Sequence, residues 1–224
     1  MNKKKIGIIL FGLISATMLS CNSKKSESDT PDTKISSNEN NNIQYEDKWS
    51  DKMTSVELNE KYNTILQEVK NQTEEYGLEY SEANESKEED GNQVNETYIY
   101  LDNENAENNK LESLYFGMDS YGKTTTSGKI FMKMSVKIDK KEILDKGDFN
   151  FGELSLATYS KLFTNAKDRD YNDINKKIVD ILKNEGEGVF TEKINGLSEE
   201  YSVGKDYIVY KLETKKYKFN KDGE

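Results

Sequence analysis

The 224-residue chain has no histidine, and only one cysteine (Cys21), one arginine (Arg169), one proline (Pro31) and one tryptophan (Trp49). Without histidine or a second cysteine there can be no intrachain disulfide, no Cys/His zinc site, no His-based triad and no imidazole general base. A catalytic thiolate is disfavoured as well, since it needs an activating base or cation beside it. The chemistry left belongs to carboxylates, lysine, tyrosine and hydroxyls. An enzyme built on this chain would be of the two-carboxylate, Ser/Lys or oxygen-ligated metal kind. Positive charge is also in deficit: 42 acids against 32 bases give a formal net charge of −10. Nucleic-acid affinity comes mainly from neutralising phosphates, so nucleic acid is not an expected partner.

What is present begins at the N-terminus. Lys3, Lys4 and Lys5 precede the uncharged run "IGIILFGLISATML", the layout of a secretory signal with a basic n-region and an apolar h-region. The run from Ile6 to Leu19 falls short of the roughly 20 residues that a spanning helix needs. Met18-Leu19-Ser20-Cys21 has large apolar residues at its first two places and a small one directly before the cysteine. It resembles the lipobox of bacterial lipoproteins, from which it departs at Met18, where the family more often has Leu. The resemblance implies cleavage before Cys21, a diacylglyceryl thioether on its sulfur, and a location at the extracytoplasmic face of the cell membrane. Two acyl chains satisfy the two-signal requirement for stable anchoring, at about 0.8 kcal/mol per buried methylene. Residues 1–20 are then the signal peptide. They take three lysines and no acid with them, so −10 becomes −13 in the mature chain. An acidic domain is repelled by an anionic membrane, which leaves the lipid on Cys21 as the membrane contact.

Residues 21–48 are polar, rich in Ser, Asn, Asp and Lys, with Ile35, Ile43 and Tyr45 as their sizeable apolar groups. Such a segment buries too little surface to offset the entropy of ordering, and it is expected to be a disordered tether. As a flexible chain of this length it spans about 25–30 Å. Folded character starts at Trp49. Leu58, Tyr62, Ile65, Leu66 and Val69 share one helical face over 54–75, Thr54 and Glu57 are placed as a capping box, and Gly77 is a stop. After an acidic run over 79–96, expected to be a solvated loop, the period changes to two. "ETYIYLD", "LESLYFGM" and "KIFMKMSVKID" predict strands. In the last of these, Ile130, Met132, Met134, Val136 and Ile138 alternate with Lys129, Phe131, Lys133, Ser135 and Lys137, which predicts one buried and one wet face.

Helical spacing returns over 151–163 and 171–184, and "GVFTEKING" and "KDYIVYKLETKKYKF" close the chain as strands. The expectation is an α+β fold, an antiparallel sheet covered on one face by about three helices, with residues 49–224 as a single domain. Two smaller α+β halves are the alternative, although no residue-level repeat supports duplication.

Four stretches invite a chemical reading. Asp168, Asp170 and Asn172 occupy places one, three and five of a calcium loop, but Asp173 stands where glycine belongs and Val179 where a bidentate glutamate belongs. A capping role at the following helix suits them better. The acidic run over 74–96 suits long-range steering of a basic partner or simple solvation. Fourteen tyrosines suit a binding surface or, more simply, half-exposed strands. Gly117, Gly122, Lys123 and Thr124 spell a phosphate loop, yet a strand follows instead of a helix, so a hairpin turn is expected. No catalytic residue, cofactor or metal site is assigned.

The sequence therefore points to a membrane-anchored surface lipoprotein with a non-enzymatic domain that binds a protein or envelope ligand. A carboxylate-dependent hydrolase of envelope polymers is the alternative, though no acid pair stands in an apolar setting that would raise a pKa. A solute-binding transport lipoprotein fits less well, because two lobes of alternating βα units are absent. Growth with a palmitate analogue tests the anchor: the wild-type chain incorporates label and Cys21→Ala does not, and equal labelling of both would overturn the assignment.

Overall fold

A computed structural model describes residues 49–166 and 168–219. The signal peptide, Cys21 and the tether of residues 21–48 lie outside them. The first helix, α1 (Ser55–Glu75), starts on the expected capping box: Thr54 Oγ1 accepts from the Glu57 N–H, and the Glu57 carboxylate accepts from the Thr54 N–H at 2.8 Å. It buries Leu58, Tyr62, Ile65 and Val69 on one face. Gly77 follows with φ +68°, a left-handed conformation that costs glycine little.

Eight antiparallel strands follow, interrupted by the remaining helices. They are β1 (Ser81–Glu89), β2 (Asn92–Asp102), β3 (Leu111–Tyr121) and β4 (Ser127–Lys137), then β5 (Gly188–Ile194), β6 (Leu197–Val203), β7 (Tyr207–Glu213) and the short β8 (Tyr217–Lys218). Their order is β1-β2-β3-β4-β7-β6-β5, with β8 paired to β4. The β4–β7 pairing, Met132 opposite Leu212 and Met134 opposite Tyr210, joins the strands before and after the helices in one sheet. The helices between are α2 (Lys140–Lys146), α3 (Ser155–Thr164) and α4 (Asn172–Asn184). The α+β class is thus as expected. Helix α1 packs against β3, β4 and α3, while α3 reaches β4 and α4 reaches β6. On β4, Ile130, Met132, Met134 and Val136 are all fully buried, as the alternation required.

Several expectations need correction. The acidic run is a β-hairpin and not a loop: β1 and β2 pair from Ser81–Tyr100 to Glu89–Asn92. Asp90 and Gly91, with φ of 49° and 75°, make the two-residue turn, in which both central residues need positive φ. An Asn195-Gly196 turn of the same kind joins β5 to β6. The stretch 151–163 is a 3-10 turn at Phe151–Glu153 followed by α3, because Leu154 is extended between them. Helix α2, capped by Asp139 and ended by Gly147, and strand β6 were not foreseen.

Much of the core is apolar, but one ion pair lies inside it. Arg169, in the α3–α4 connection, donates through both terminal nitrogens to Glu199 on β6, at 2.5 and 2.6 Å. The Glu199 side chain is fully buried and that of Arg169 is 9% exposed. The Tyr210 hydroxyl, itself linked to Ser160 Oγ at 3.0 Å, also donates to Glu199, as does the Tyr201 hydroxyl at 3.2 Å. Removing one partner of such a pair strands a buried charge. Arg169→Met is expected to cost about 3–5 kcal/mol in urea unfolding. The double variant Arg169→Met/Glu199→Leu should be more stable than Arg169→Met alone; if it is not, the stranded charge does not explain the loss.

Candidate functional site

Register places the most unusual chemistry on the face of the sheet that carries the even-numbered β2 residues. Reading across β1, β2, β3 and β4, Glu85 lies opposite Glu96, Glu96 opposite Asp119, and Asp119 opposite Lys129. Three carboxylates thus stand side by side before a cation is met, an arrangement that is destabilising unless compensated. Glu96 and Asp119 are 6% and 7% exposed. Both are acids in strands of mixed aromatic and polar residues, where the pairing register, unreadable from the sequence, brings them together.

Compensation comes from the neighbouring rows. The Tyr98 hydroxyl donates to Glu85 at 2.6 Å, Tyr115 to Glu96 at 2.8 Å and Tyr121 to Asp119 at 3.0 Å. Lys87 Nζ lies 3.1 Å from Glu96, and Lys129 Nζ 3.7 Å from Asp119 and 3.3 Å from Glu213. Tyrosine rings stack along the same face: Tyr98 and Tyr115 at 4.4 Å between centroids, Tyr115 and Phe131 at 5.7 Å. Gly117 allows this, since a Cβ there would come within 2.8 Å of the Phe131 ring and 3.0 Å of Tyr98 Cβ. The tyrosines on these strands therefore act chiefly as cross-strand partners, with ring faces against each other and hydroxyls on acids. Tyr100 and Tyr207, each 44% exposed, are the ones that reach solvent most fully.

Burial pushes the Tyr98 hydroxyl up to about 12, assisted by its bond to Glu85. Burial and the adjacent Glu96 charge raise the Asp119 carboxyl above its usual range, against the pull of Lys129 and Tyr121. Asp119 Oδ1 is buried and accepts no hydrogen bond. These groups could hold a proton or a cationic group between strands. Among the described residues, no three acidic side chains converge in a geometry that would hold a metal ion.

The other sequence candidates fall elsewhere. Asp170 Oδ1 accepts from the Asn172 N–H at 2.8 Å, which places it at the start of α4 in a turn-forming role. Gly117 lies within β3, whereas Gly122, Lys123 and Thr124 occupy the turn between β3 and β4, with φ +84° at Gly122, so the phosphate-loop letters describe a hairpin. Open clefts lie elsewhere among the described residues. One, of about 550 Å³, is lined by Thr191, Lys193, Glu200 and Lys211 on β5 to β7. Another, of about 710 Å³, lies between α1 and the end of α3, beside Trp49. Neither is lined by Glu96 or Asp119. No helix among the described residues is long and apolar enough to cross a membrane. No protein-family model, curated protein or solved structure matches the chain.

Asp119 yields a pH prediction. A carboxyl whose pKa is higher folded than unfolded binds its proton more tightly in the folded state. Its contribution is fully present below the unfolded value and is lost as pH rises through the folded one. Asp119→Asn keeps an acceptor for Tyr121 without the charge. It should stabilise the domain at pH 7 by about 1 kcal/mol, or roughly 2–4 °C in Tm, with a smaller gain near pH 4. A gain that does not shrink on acidification would exclude the charge as its cause.

Proposed function

We propose that the chain is a surface lipoprotein, anchored through lipid on Cys21, whose folded part binds a protein or envelope ligand without catalysis. Supporting the location are the basic and apolar segments before Met18-Leu19-Ser20-Cys21 and the polar stretch behind it. The observation that carries the binding reading is the state of the acids on the sheet. Glu85, Glu96 and Asp119 already accept from Tyr98, Tyr115 and Tyr121, and they lie along the strands, Glu96 and Asp119 buried, instead of lining either cleft. A general acid and base need a free proton path to a bound substrate, whereas each of these carboxylates is held by a tyrosine hydroxyl, and the one oxygen left without a donor, Asp119 Oδ1, is buried. We further infer that α1, α3 and α4 cover one face of the sheet, leaving the tyrosine-bearing face for contact. The burial of Met132 and Met134 beneath α1 and α3, against the exposure of Lys133, supports that division.

The hydrolase reading has one observation in its favour, the Glu96–Asp119 neighbour pair with its raised Asp119. It requires that pair to open to substrate. A photo-activated cross-linker placed at Tyr100 or at Tyr207 on intact cells separates the two. Binding predicts a discrete adduct from these positions and none from Val56 on α1, which is more open to solvent than either. Absence of any adduct, together with polymer cleavage that Glu96→Gln abolishes, would replace binding by hydrolysis.

A further inference from the structure

We infer that the free edge of β1 is a docking edge for an extended, lysine- or arginine-bearing peptide segment of a partner, added as a further strand. The inference rests on the binding reading above and names the chemistry of the partner.

The edge is long and open. β1 runs for nine residues, pairs with β2 on one side, and has no strand on the other among the described residues. Eight of its nine residues are exposed. An edge of this kind offers a row of unpaired N–H and C=O groups, to which an extended peptide can bond. The sheet's opposite edge differs. β5 has seven residues and α4 lies over it: Lys177 bonds Glu192 and sits above the Phe190 ring, and Ile181 closes on Gly188.

Charge selects the occupant. β1 carries Glu82, Glu85, Glu88 and Glu89 against its own Lys87, with Lys70 of α1 on Glu82 at 2.8 Å. Lys87 is already shared by Glu89 and Glu96, and Glu88 meets no cation among the described residues. A second copy of the chain is a poor partner. Two β1 strands paired antiparallel about Glu85 would set Glu85 against Glu85 and Glu82 against Glu88, with like charges opposed at close range. The same acids that repel a second copy attract a strand of opposite sign and speed its encounter. They also point to both sides of the strand. Glu85 and Glu89 share the face of Glu96, and Glu82 and Glu88 lie on the other, so basic residues at either parity find a partner.

The test uses the full chain and three labelled peptides matched to the length of β1: alternating Lys and Thr, alternating Glu and Thr, and the Lys/Thr peptide N-methylated at alternate residues. The Lys/Thr peptide should bind at low salt, weaken as salt is raised, and slow amide hydrogen exchange along β1. N-methylation keeps the charge but blocks the ladder, and it should weaken binding about tenfold, the worth of one or two net hydrogen bonds. Replacing Glu82, Glu85, Glu88 and Glu89 by Gln should abolish the preference for Lys over Glu peptides. Equal binding of the methylated peptide would reduce the effect to diffuse charge and overturn the docking edge. No binding at low salt would overturn it too, leaving the acids as guards against self-pairing. Neither result touches adducts formed at Tyr100 or Tyr207, so the edge can fail while the binding reading stands, and loss of those adducts is what removes the latter.

Discussion

The buried bond between Arg169 and Glu199 holds the corner where the helices meet the second half of the sheet. Around it the chain is tied three further ways. The Trp49 indole donates to the Phe163 carbonyl, the Asn195 amide donates to the Thr164 carbonyl, and the Trp49 N–H donates to the Asn195 carbonyl. The end of α3, the β5–β6 turn and the first described residues are thereby joined at one place. Moving two charges out of water costs several kcal/mol per ion. Here that cost is offset by a two-pronged guanidinium–carboxylate bond, by two tyrosine hydroxyls on the same carboxylate and by the Tyr171 ring, whose centroid lies 4.9 Å from the Arg169 guanidinium. Lysine has no fork to match a carboxylate, which gives a physical reason for an arginine at this position in a chain that otherwise uses lysine.

The same device, a tyrosine hydroxyl set against a carboxylate, recurs on the sheet. In the core, Tyr201 and Tyr210 serve Glu199. On the opposite parity, Tyr98, Tyr115 and Tyr121 serve Glu85, Glu96 and Asp119. Tyrosine suits both places because its ring packs like a hydrophobe while its hydroxyl satisfies a buried acceptor. A chain with 42 acids and no histidine relies on neutral donors as well as lysines to bring carboxylates into its strands, and the tyrosine content fills that need. This favours the strand reading of the tyrosines over a bare aromatic platform, whose ring faces would have to be free.

Legibility in the sequence followed the range of the forces involved. Helix α1 was readable to its caps, and β4 to its faces, because both are set by neighbours within a few residues: Thr54 with Glu57, and Met132 with Met134. β1, the turn and the first residues of β2 were missed, although "ETYIYLD" within β2 was read as a strand, because their polar composition outweighed the Asp90-Gly91 pair, a local turn signal that was present. β6 was missed because Glu199 and Glu200 break its apolar alternation, yet Glu199 sits at the same parity as Leu197, Tyr201 and Val203 and is the buried one. A charged residue at an inward parity was the available clue to the ion pair, and the chain's only arginine was the other half of it. The Glu85–Glu96–Asp119 row left no such clue, since it exists only through the register of four strands. Cys21, the clearest functional sign in the sequence, lies outside the described residues.

That row also determines how the sheet answers to acid. No side chain here has an ordinary pKa between pH 5 and 8 that histidine would supply, so the sheet's charge responds through carboxyls. Asp119 is raised by burial and by Glu96, and its Oδ1 lacks a donor. A proton taken up there removes one of three adjacent negative charges and relieves the repulsion across β1, β2 and β3. Glu85 belongs to the same row and to the open edge of β1, so the repulsion relieved at Asp119 is repulsion that bears on the edge strand itself. The seating of the hairpin and the charge it presents outward thus share one carboxylate, Glu85, through which a change in the row reaches the edge.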